Sequence, residues 1–300
     1  MDVIKLNEIG YLGPPGTFTE MAANYYLERK PDKLADLESY IDIEGLIMAI
    51  ADGEVSAGVV PIENSLEGSV NITLDYLAHK VDLEIQTEII LPIIHNLIVK
   101  PGVDLSDIEK VISHPQALAQ CRDNLNKYLD GIEILKVNST AEAVKQVDSE
   151  NIGAIGSRLA AKRNQLEIIK GNFQDESRNW TRFVLLSKPG VKTGGRELSA
   201  CKKTSIILAP VKNRPGILHE LLDEFARRNI NLTKIESRPT RKTLGDYLFF
   251  IDFEGDREKR QIAEILKNLR SKSSYFKVLG SYDKLELTTE NLRVEHNELK

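Results

Sequence analysis

Cysteine is nearly absent: Cys121 and Cys201 are the only two in 300 residues, far apart and without a C-x-x-C spacing. That excludes a disulfide-stapled fold and a thiolate zinc or redox centre, and both are read as free thiols. Histidine is also sparse, at positions 79, 95, 114, 219 and 296, with no pair at helical ligand spacing, so no metal is expected. No long hydrophobic run occurs. The longest apolar stretch, Ile89 to Val99, is broken by Pro92, His95 and Asn96 and falls short of the roughly 20 residues a bilayer span needs. The N-terminal residues lack the basic start, apolar run and small-residue cleavage site of a secretory signal, so a cytoplasmic protein with no membrane partner is expected. An excess of positive charge is missing too: the net charge of −5 weighs against nucleic acid and toward a small-molecule ligand.

What is there is an ordinary globular composition, 41% hydrophobic and 28% charged, with length for two or three compact units. Up to about Ser187, short apolar runs alternate with helical segments, the pattern of an α/β protein with largely parallel sheets. Strands are predicted at Ile9–Leu12, Gly58–Pro61, Ile94–Val99, Val111–Ser113, Ile132–Lys136, Ile152–Ile155 and Thr181–Ser187. Residues 188–203, rich in Gly and Lys, read as an interdomain linker. Beyond them the order over residues 204–283 is strand (Ser205–Val211), helix (Gly216–Arg228), strand (Leu232–Arg238), strand (Tyr247–Phe253), helix (Glu258–Ser271), strand (Tyr275–Tyr282). This is the ferredoxin-like βαββαβ order. Residues 284–300 are mostly polar and read as a tail without an assigned role.

Four corners in the first 187 residues concentrate polar side chains at strand ends, where open α/β sheets bind ligands. The first, Gly13-Pro14-Pro15-Gly16-Thr17-Phe18-Thr19-Glu20, has the S/T-x-x-E spacing of a capping box at Thr17 and Glu20; it is either an anion site or simply a well-capped helix. The second, Ile62-Glu63-Asn64-Ser65, places Asn64 and Ser65 to hydrogen-bond a substrate, while Glu63 could equally serve an internal ion pair. The third, Ser113-His114-Pro115-Gln116, repeats the cap spacing at Ser113 and Gln116, with Gln120 one turn further on the same face; His114 reads as a structural or exposed residue more readily than as a base. Ser139 with Glu142 is a further cap, structural only. The fourth, Asn179-Trp180-Thr181-Arg182-Phe183, offers a hydroxyl and a guanidinium fork suited to a carboxylate.

In this order the four segments resemble, nearly residue for residue over residues 8–187, the prephenate dehydratase family, with its G-P-x-G-T-F-[ST], P-I-E-N-S, S-H-P-Q…Q-C and T-R-F motifs. The resemblance implies a two-lobed fold like the type 2 periplasmic binding proteins, with the active site in the cleft and the last strand returning to the first lobe. It implies a carbon–oxygen lyase that converts prephenate to phenylpyruvate, and no organic cofactor. Thr181 would be catalytic, with Arg182 and Phe183 completing its motif and Arg182 or a helix start anchoring the pyruvyl carboxylate. Glu63, Asn64, Ser113 and Gln120 would line the substrate, and Thr17, Thr19 and Ser65 on the same corners complete the expected substrate-binding set. Residues 204–283 resemble an ACT regulatory domain. That implies phenylalanine bound by Asn213, Gly216, Ile217, Leu218, Glu236, Ser237, Arg238 and Pro239 between paired domains, hence a homodimer or homotetramer. The family's G-A-L reads Gly216-Ile217-Leu218 here. Two other functions stay open at this point, an arogenate dehydratase and a non-catalytic amino-acid sensor.

Overall fold

The structure is a computed structural model that describes residues 8–29, 35–191, 202–212, 214–240 and 246–287. Asn213 and Cys201, both named above, lie outside the described residues, as do 288–300.

In the first lobe, β1 (Glu8–Leu12) leads into α1 (Phe18–Glu28), β2 (Asp36–Tyr40) into α2 (Ile43–Asp52), and β3 (Ala57–Asn64) through the short β4 (Gly68–Ser69) into α3 (Asn71–His79) and β5 (Glu84–Pro92). The second lobe holds β6 (Asn96–Val99), β7 (Lys110–Ser113), α4 (Pro115–Gln120), α5 (Arg122–Tyr128), β8 (Glu133–Lys136), α6 (Thr140–Lys145), β9 (Ile152–Gly156), α7 (Arg158–Arg163) and β10 (Glu167–Lys170). Strand β11 (Trp180–Ser187) then returns to the first lobe. The C-terminal unit is β12 (Lys203–Pro210), α8 (Ile217–Ala226), β13 (Leu232–Pro239), β14 (Tyr247–Glu254), α9 (Arg260–Ser271) and β15 (Ser273–Glu286), the βαββαβ order read from the sequence.

The expected predominance of parallel pairing is corrected. β1 is parallel to β2 and β3, and β7 to β8 and β9, but β11 is antiparallel to both β3 and β5, and β6 to both β9 and β10. The reason is the path of the chain, which leaves the first lobe along β5 and comes back along β11 across the same gap. Pro92 ends β5, a strand not expected from the sequence, and the strand expected at Ile94–Val99 begins only at Asn96, so the residues between them form a crossing segment. Strand β2 was missed because it is a largely exposed edge with no apolar alternation.

The tail reading is corrected for residues 284–287. β15 runs on past the C-terminal unit and pairs in parallel with β5, from Asp283 opposite Thr87 to Glu286 opposite Ile90. One sheet therefore spans both units in the order β13-β14-β12-β15-β5-β11-β3-β1-β2. Leu285 and Leu287 hold the extension down, buried against Ile89, Leu91 and the α1 face. A shared core packs Leu46, Ile50 and Leu77 of the first lobe against Ile207, Phe250, Leu279 and Tyr282 of the C-terminal unit. At the seam Gly280 has φ +149, and a Cβ there would lie 2.3 Å from the Ile85 carbonyl oxygen, so no larger residue fits the crossing.

Candidate active site

The two crossing segments are laced together between the lobes. Ile93 N–H donates to Asn179 O at 2.8 Å, Phe173 N–H to His95 O at 2.7 Å, and His95 N–H to Gln174 Oε1 at 3.0 Å. Beside them opens a cleft of about 560 Å³, within the range of small-molecule sites. Its walls include Thr17, Phe18 and Thr19 from the start of α1, Asn64 to Val70 in part from the β3–β4 corner, His114, Gln116 and Gln120 from α4, and Asn138 to Thr140 before α6. Asn179, Thr181 and Phe183 form its floor with Ile93 and His95.

Each corner is built by ordinary helix chemistry. Thr17 caps α1, accepting from Glu20 N–H at 3.4 Å and donating to Leu12 O at 2.8 Å. Glu20 does not close the capping box. Its buried carboxylate accepts from Gly16 N–H at 2.6 Å and pairs with Arg163 of the second lobe, so the first turn already holds an anion of its own. Ser157 Oγ donates to Gly16 O at 2.6 Å, a second tie between the lobes. At the third corner the cap is His114, whose Nδ1 accepts from Gln116 N–H at 3.3 Å. Ser113 is instead fully buried and donates to Ile155 O at 2.7 Å. Ser139 caps α6 as expected, accepting from Glu142 N–H at 3.0 Å, and also borders the cleft.

A chain of amides crosses the floor, and its polarity is set from one end. Leu66 and Glu67 N–H donate to Asn64 Oδ1 at 2.9 and 3.1 Å, which leaves the Asn64 amide nitrogen as donor. That nitrogen reaches Asn179 Oδ1 at 2.8 Å and Thr181 Oγ1 at 2.9 Å. Asn179 in turn donates to Gln120 Oε1 at 3.0 Å. Thr181 Oγ1 is thus an acceptor toward Asn64, and its own proton is left to donate into the cleft.

Arg182 is not there, which corrects the expected carboxylate clamp. Successive residues of a strand face opposite sides, and Thr181 and Phe183 take the cleft side. Arg182 is buried at the seam with the C-terminal unit, 2.7 Å from Glu88, 2.6 Å from Asp252, 3.3 Å from Glu63 and 3.1 Å from the Tyr282 hydroxyl. Burial opposes its charge, but Asp252, Tyr282 and Glu88 more than restore it, and the guanidinium is held well above its ordinary value. Lys203 adds a second cation 2.8 Å from Glu88. Glu63 belongs to this seam as well, paired with Arg182 and, at 3.2 Å, with Lys234 of β13, so its ion-pair reading is the one the structure supports. Ser65 is turned to the backbone, donating to Arg178 O at 3.2 Å and accepting from Trp180 N–H at 2.9 Å. Of the predicted substrate set, Thr17, Thr19, Asn64, Gln120, Thr181 and Phe183 come together around the cleft; Glu63, Ser65, Ser113 and Arg182 do not.

Two floor residues escaped the sequence reading. Asn179 stood in the fourth motif without a role, and His95 was marked only as an interruption of an apolar run. That interruption was the available signal, because a polar residue inside such a run is either an error of packing or a site.

In the C-terminal unit, Gly216 heads α8 with φ +82, a left-handed conformation that glycine adopts without strain, and its Cα faces open space. Ile217 packs on the core of that unit. The residues of β13 alternate. Ser237 and Pro239 are exposed, whereas Glu236 bonds Ser69 at the cleft rim and Arg238 reaches Asn71 and, at 3.0 Å, Asp75 of α3. Lys234 Nζ also donates to Ser69 Oγ, at 2.7 Å.

Comparison with known proteins agrees with this architecture. The prephenate dehydratase family model matches residues 9–191, and the ACT domain model matches residues 205–271. A prephenate dehydratase of Methanocaldococcus jannaschii is 42% identical over 283 residues, which is 91% of this chain and 96% of that protein. The solved structure of a prephenate dehydratase from Arthrobacter aurescens in complex with L-Phe is 33% identical, with a TM-score of 0.81 over 97% of this chain and 98% of that one. The structure of GqqA, described as a novel type of quorum-quenching acylase, is 28% identical with a TM-score of 0.78, covering 92% of this chain and 97% of that one. From cleft, fold and similarity together, the chain belongs to the prephenate dehydratase family and carries an ACT domain after its catalytic part.

Proposed function

We propose that the cleft converts prephenate to phenylpyruvate, carbon dioxide and water, with Thr181 assisting departure of the ring hydroxyl. The carrying observation is the 2.9 Å bond from Asn64 to Thr181 Oγ1, which commits the threonine oxygen as acceptor and frees its proton for the leaving group. Hydroxide departs poorly without a proton, and a hydrogen bond that strengthens as the C–O bond breaks lowers that barrier. The proton that completes the water is drawn from solvent through the hydroxyl, so one proton is consumed per turnover. Meanwhile the electron pair of the breaking C–CO₂ bond moves into the ring and makes it aromatic.

The lining supports this chemistry. No lysine or arginine stands among the described cleft residues, and the only acid among them is Glu67, exposed at the rim. A neutral wall does not hold back the ring carboxylate as it sheds its charge. The second carboxylate then meets hydroxyl and amide donors from Thr19 and Thr140 rather than Arg182, the Thr17 hydroxyl being given to Leu12 O. An arogenate ammonium would find only Glu67, which favours the keto substrate.

The ACT domain is proposed to bind L-phenylalanine and to bias the cleft through Glu236 and Lys234, which grip Ser69 on its rim. Linkage makes this reciprocal, and a coupling of about 1–3 kcal/mol suffices. The open edge of β13, with Ile235 45% exposed, supports pairing with a second copy as a homodimer or homotetramer. A cytoplasmic setting is part of the same reading.

The test follows phenylpyruvate from prephenate near neutral pH, against a protein-free blank and Thr181→Ala, with arogenate run alongside. Turnover by wild type alone on prephenate supports the reading. Turnover restricted to arogenate, or binding without turnover that Thr181→Ala leaves untouched, would replace it with a rival.

A further inference from the structure

His95 lies on the first crossing segment between β5 and β6 and is 3% exposed. Its backbone is fixed at both ends, N–H to Gln174 and C=O to Phe173. The ring bridges the lobes. It forms a T-shaped pair with Phe18 of α1, centroids 5.6 Å apart at 82°, and its Nε2 lies 3.0 Å from Gln120 Oε1 of α4.

The ring's protonation state follows from the amide chain. Because Asn179 donates to Gln120 Oε1, that atom is the carbonyl oxygen and can only accept; the imidazole nitrogen facing it must carry a hydrogen. Nδ1 is buried with no hydrogen-bond partner among the described residues. A proton placed there would be a buried donor without an acceptor, and burial itself pushes the imidazole pKa down, so the ring stays neutral as the Nε2–H form. A buried nitrogen left unsatisfied calls for an explanation. The explanation offered by the geometry is that the ring is held for what Nε2 does. With Oε1 engaged twice, Gln120 has only its two amide N–H groups left, and it lines the cleft.

We propose that His95 is a positioning residue: its Nε2–H pins the Gln120 carbonyl so that the Gln120 N–H groups are presented to an oxygen of the bound substrate. The proposal rests on the dehydratase reading for the identity of that substrate. Gln120 touches the substrate and His95 acts through it. Fixing such a donor in advance matters to the rate more than to binding, because the bond tightens as charge moves in the transition state.

The experiment compares His95→Gln, whose amide nitrogen reaches the place of Nε2, with His95→Asn, whose amide nitrogen reaches only the place of Nδ1. Steady-state rates on prephenate are measured for both, with melting curves to show that each is folded. His95→Asn is expected to lose about tenfold or more in kcat with KM changed by less than about threefold, and His95→Gln to recover most of that loss. Equal loss in both variants, or a kcat in His95→Asn equal to wild type, would overturn the assignment. Nitrogen chemical shifts of the wild-type imidazole near pH 7 give a readout that needs no turnover. The Nε2–H form is expected there, and an Nδ1–H or doubly protonated ring would overturn the assignment. Should wild type turn over no prephenate, the dehydratase reading falls, and the nitrogen shifts alone decide the role of His95.

Discussion

Thr181 and Arg182 are neighbours on β11 that face opposite sides of the sheet, one lining the cleft and the other neutralising Glu88 and Asp252 at the seam with the ACT domain. The T-R-F signature therefore serves two places at once, the cleft through Thr181 and Phe183 and the seam through Arg182.

Arg182→Met is expected to damage stability more than chemistry. It leaves Glu88, with no exposed surface, and Asp252 without their central counter-charge, and breaking a buried pair in this way costs about 3–5 kcal/mol. Urea unfolding should show that loss, while kcat per folded molecule stays within a few-fold of wild type. Adding Glu88→Gln and Asp252→Asn should restore part of the stability. A variant that kept wild-type stability and lost its rate would return Arg182 to the cleft.

Asn64→Asp keeps the acceptor for Leu66 and Glu67 N–H but removes the donor to Thr181. The threonine hydroxyl then turns its proton toward the new carboxylate instead of the leaving group. A fall in kcat of about 10- to 100-fold is expected, together with a lowered melting temperature because the new carboxylate also faces Asn179 Oδ1 and Trp180 O, measured by phenylpyruvate formation and calorimetry.

Gly280→Ala tests the seam from the other side. Its Cβ would collide with the Ile85 carbonyl, and the backbone there has a φ that alanine rarely adopts. A loss of at least about 2 kcal/mol is expected in chemical denaturation, with loosening of both units together rather than of the ACT domain alone.

The pH dependence of the ACT domain should carry the mark of Glu224, which ties α8 to α9 through Lys272 and, at 3.0 Å, Asn268, and also pairs with Arg228 just past the end of its own helix at 2.9 Å. Chiefly through the Lys272 bond, its carboxyl is lowered from 4.5 to about 2. The unfolded chain therefore takes up the proton first as the pH falls, so the stabilisation is whole above about 4.5 and drains away toward 2. Glu224→Gln should flatten the acid limb of a stability–pH curve over that window and leave it unchanged at neutral pH in slope.

Much of this was legible beforehand because it is local. The βαββαβ order is written in apolar runs and turns, and the four corners are strand ends with capping residues. Even the split between Thr181 and Arg182 was open to inference, since Phe183 and Leu185 alternate with Val184 and Leu186 and a strand has a period of two. What stayed hidden depends on partners remote in sequence. Arg238 and Asn71 are 167 positions apart, as are Glu236 and Ser69, and no periodicity announces such a pair. His95 was readable only as a break in an apolar run; its purpose needed the lobes brought face to face.

The shared strand β15 changes how the ACT domain should be regarded. A module that could be clipped off would leave behind a finished enzyme, but removing this one strips β5 of its neighbour and bares a hydrophobic strand edge. Shortened versions are thus poor tests of what the catalytic part does alone. Gene fusions that exchange the C-terminal unit must therefore carry with them the strand that completes the catalytic sheet.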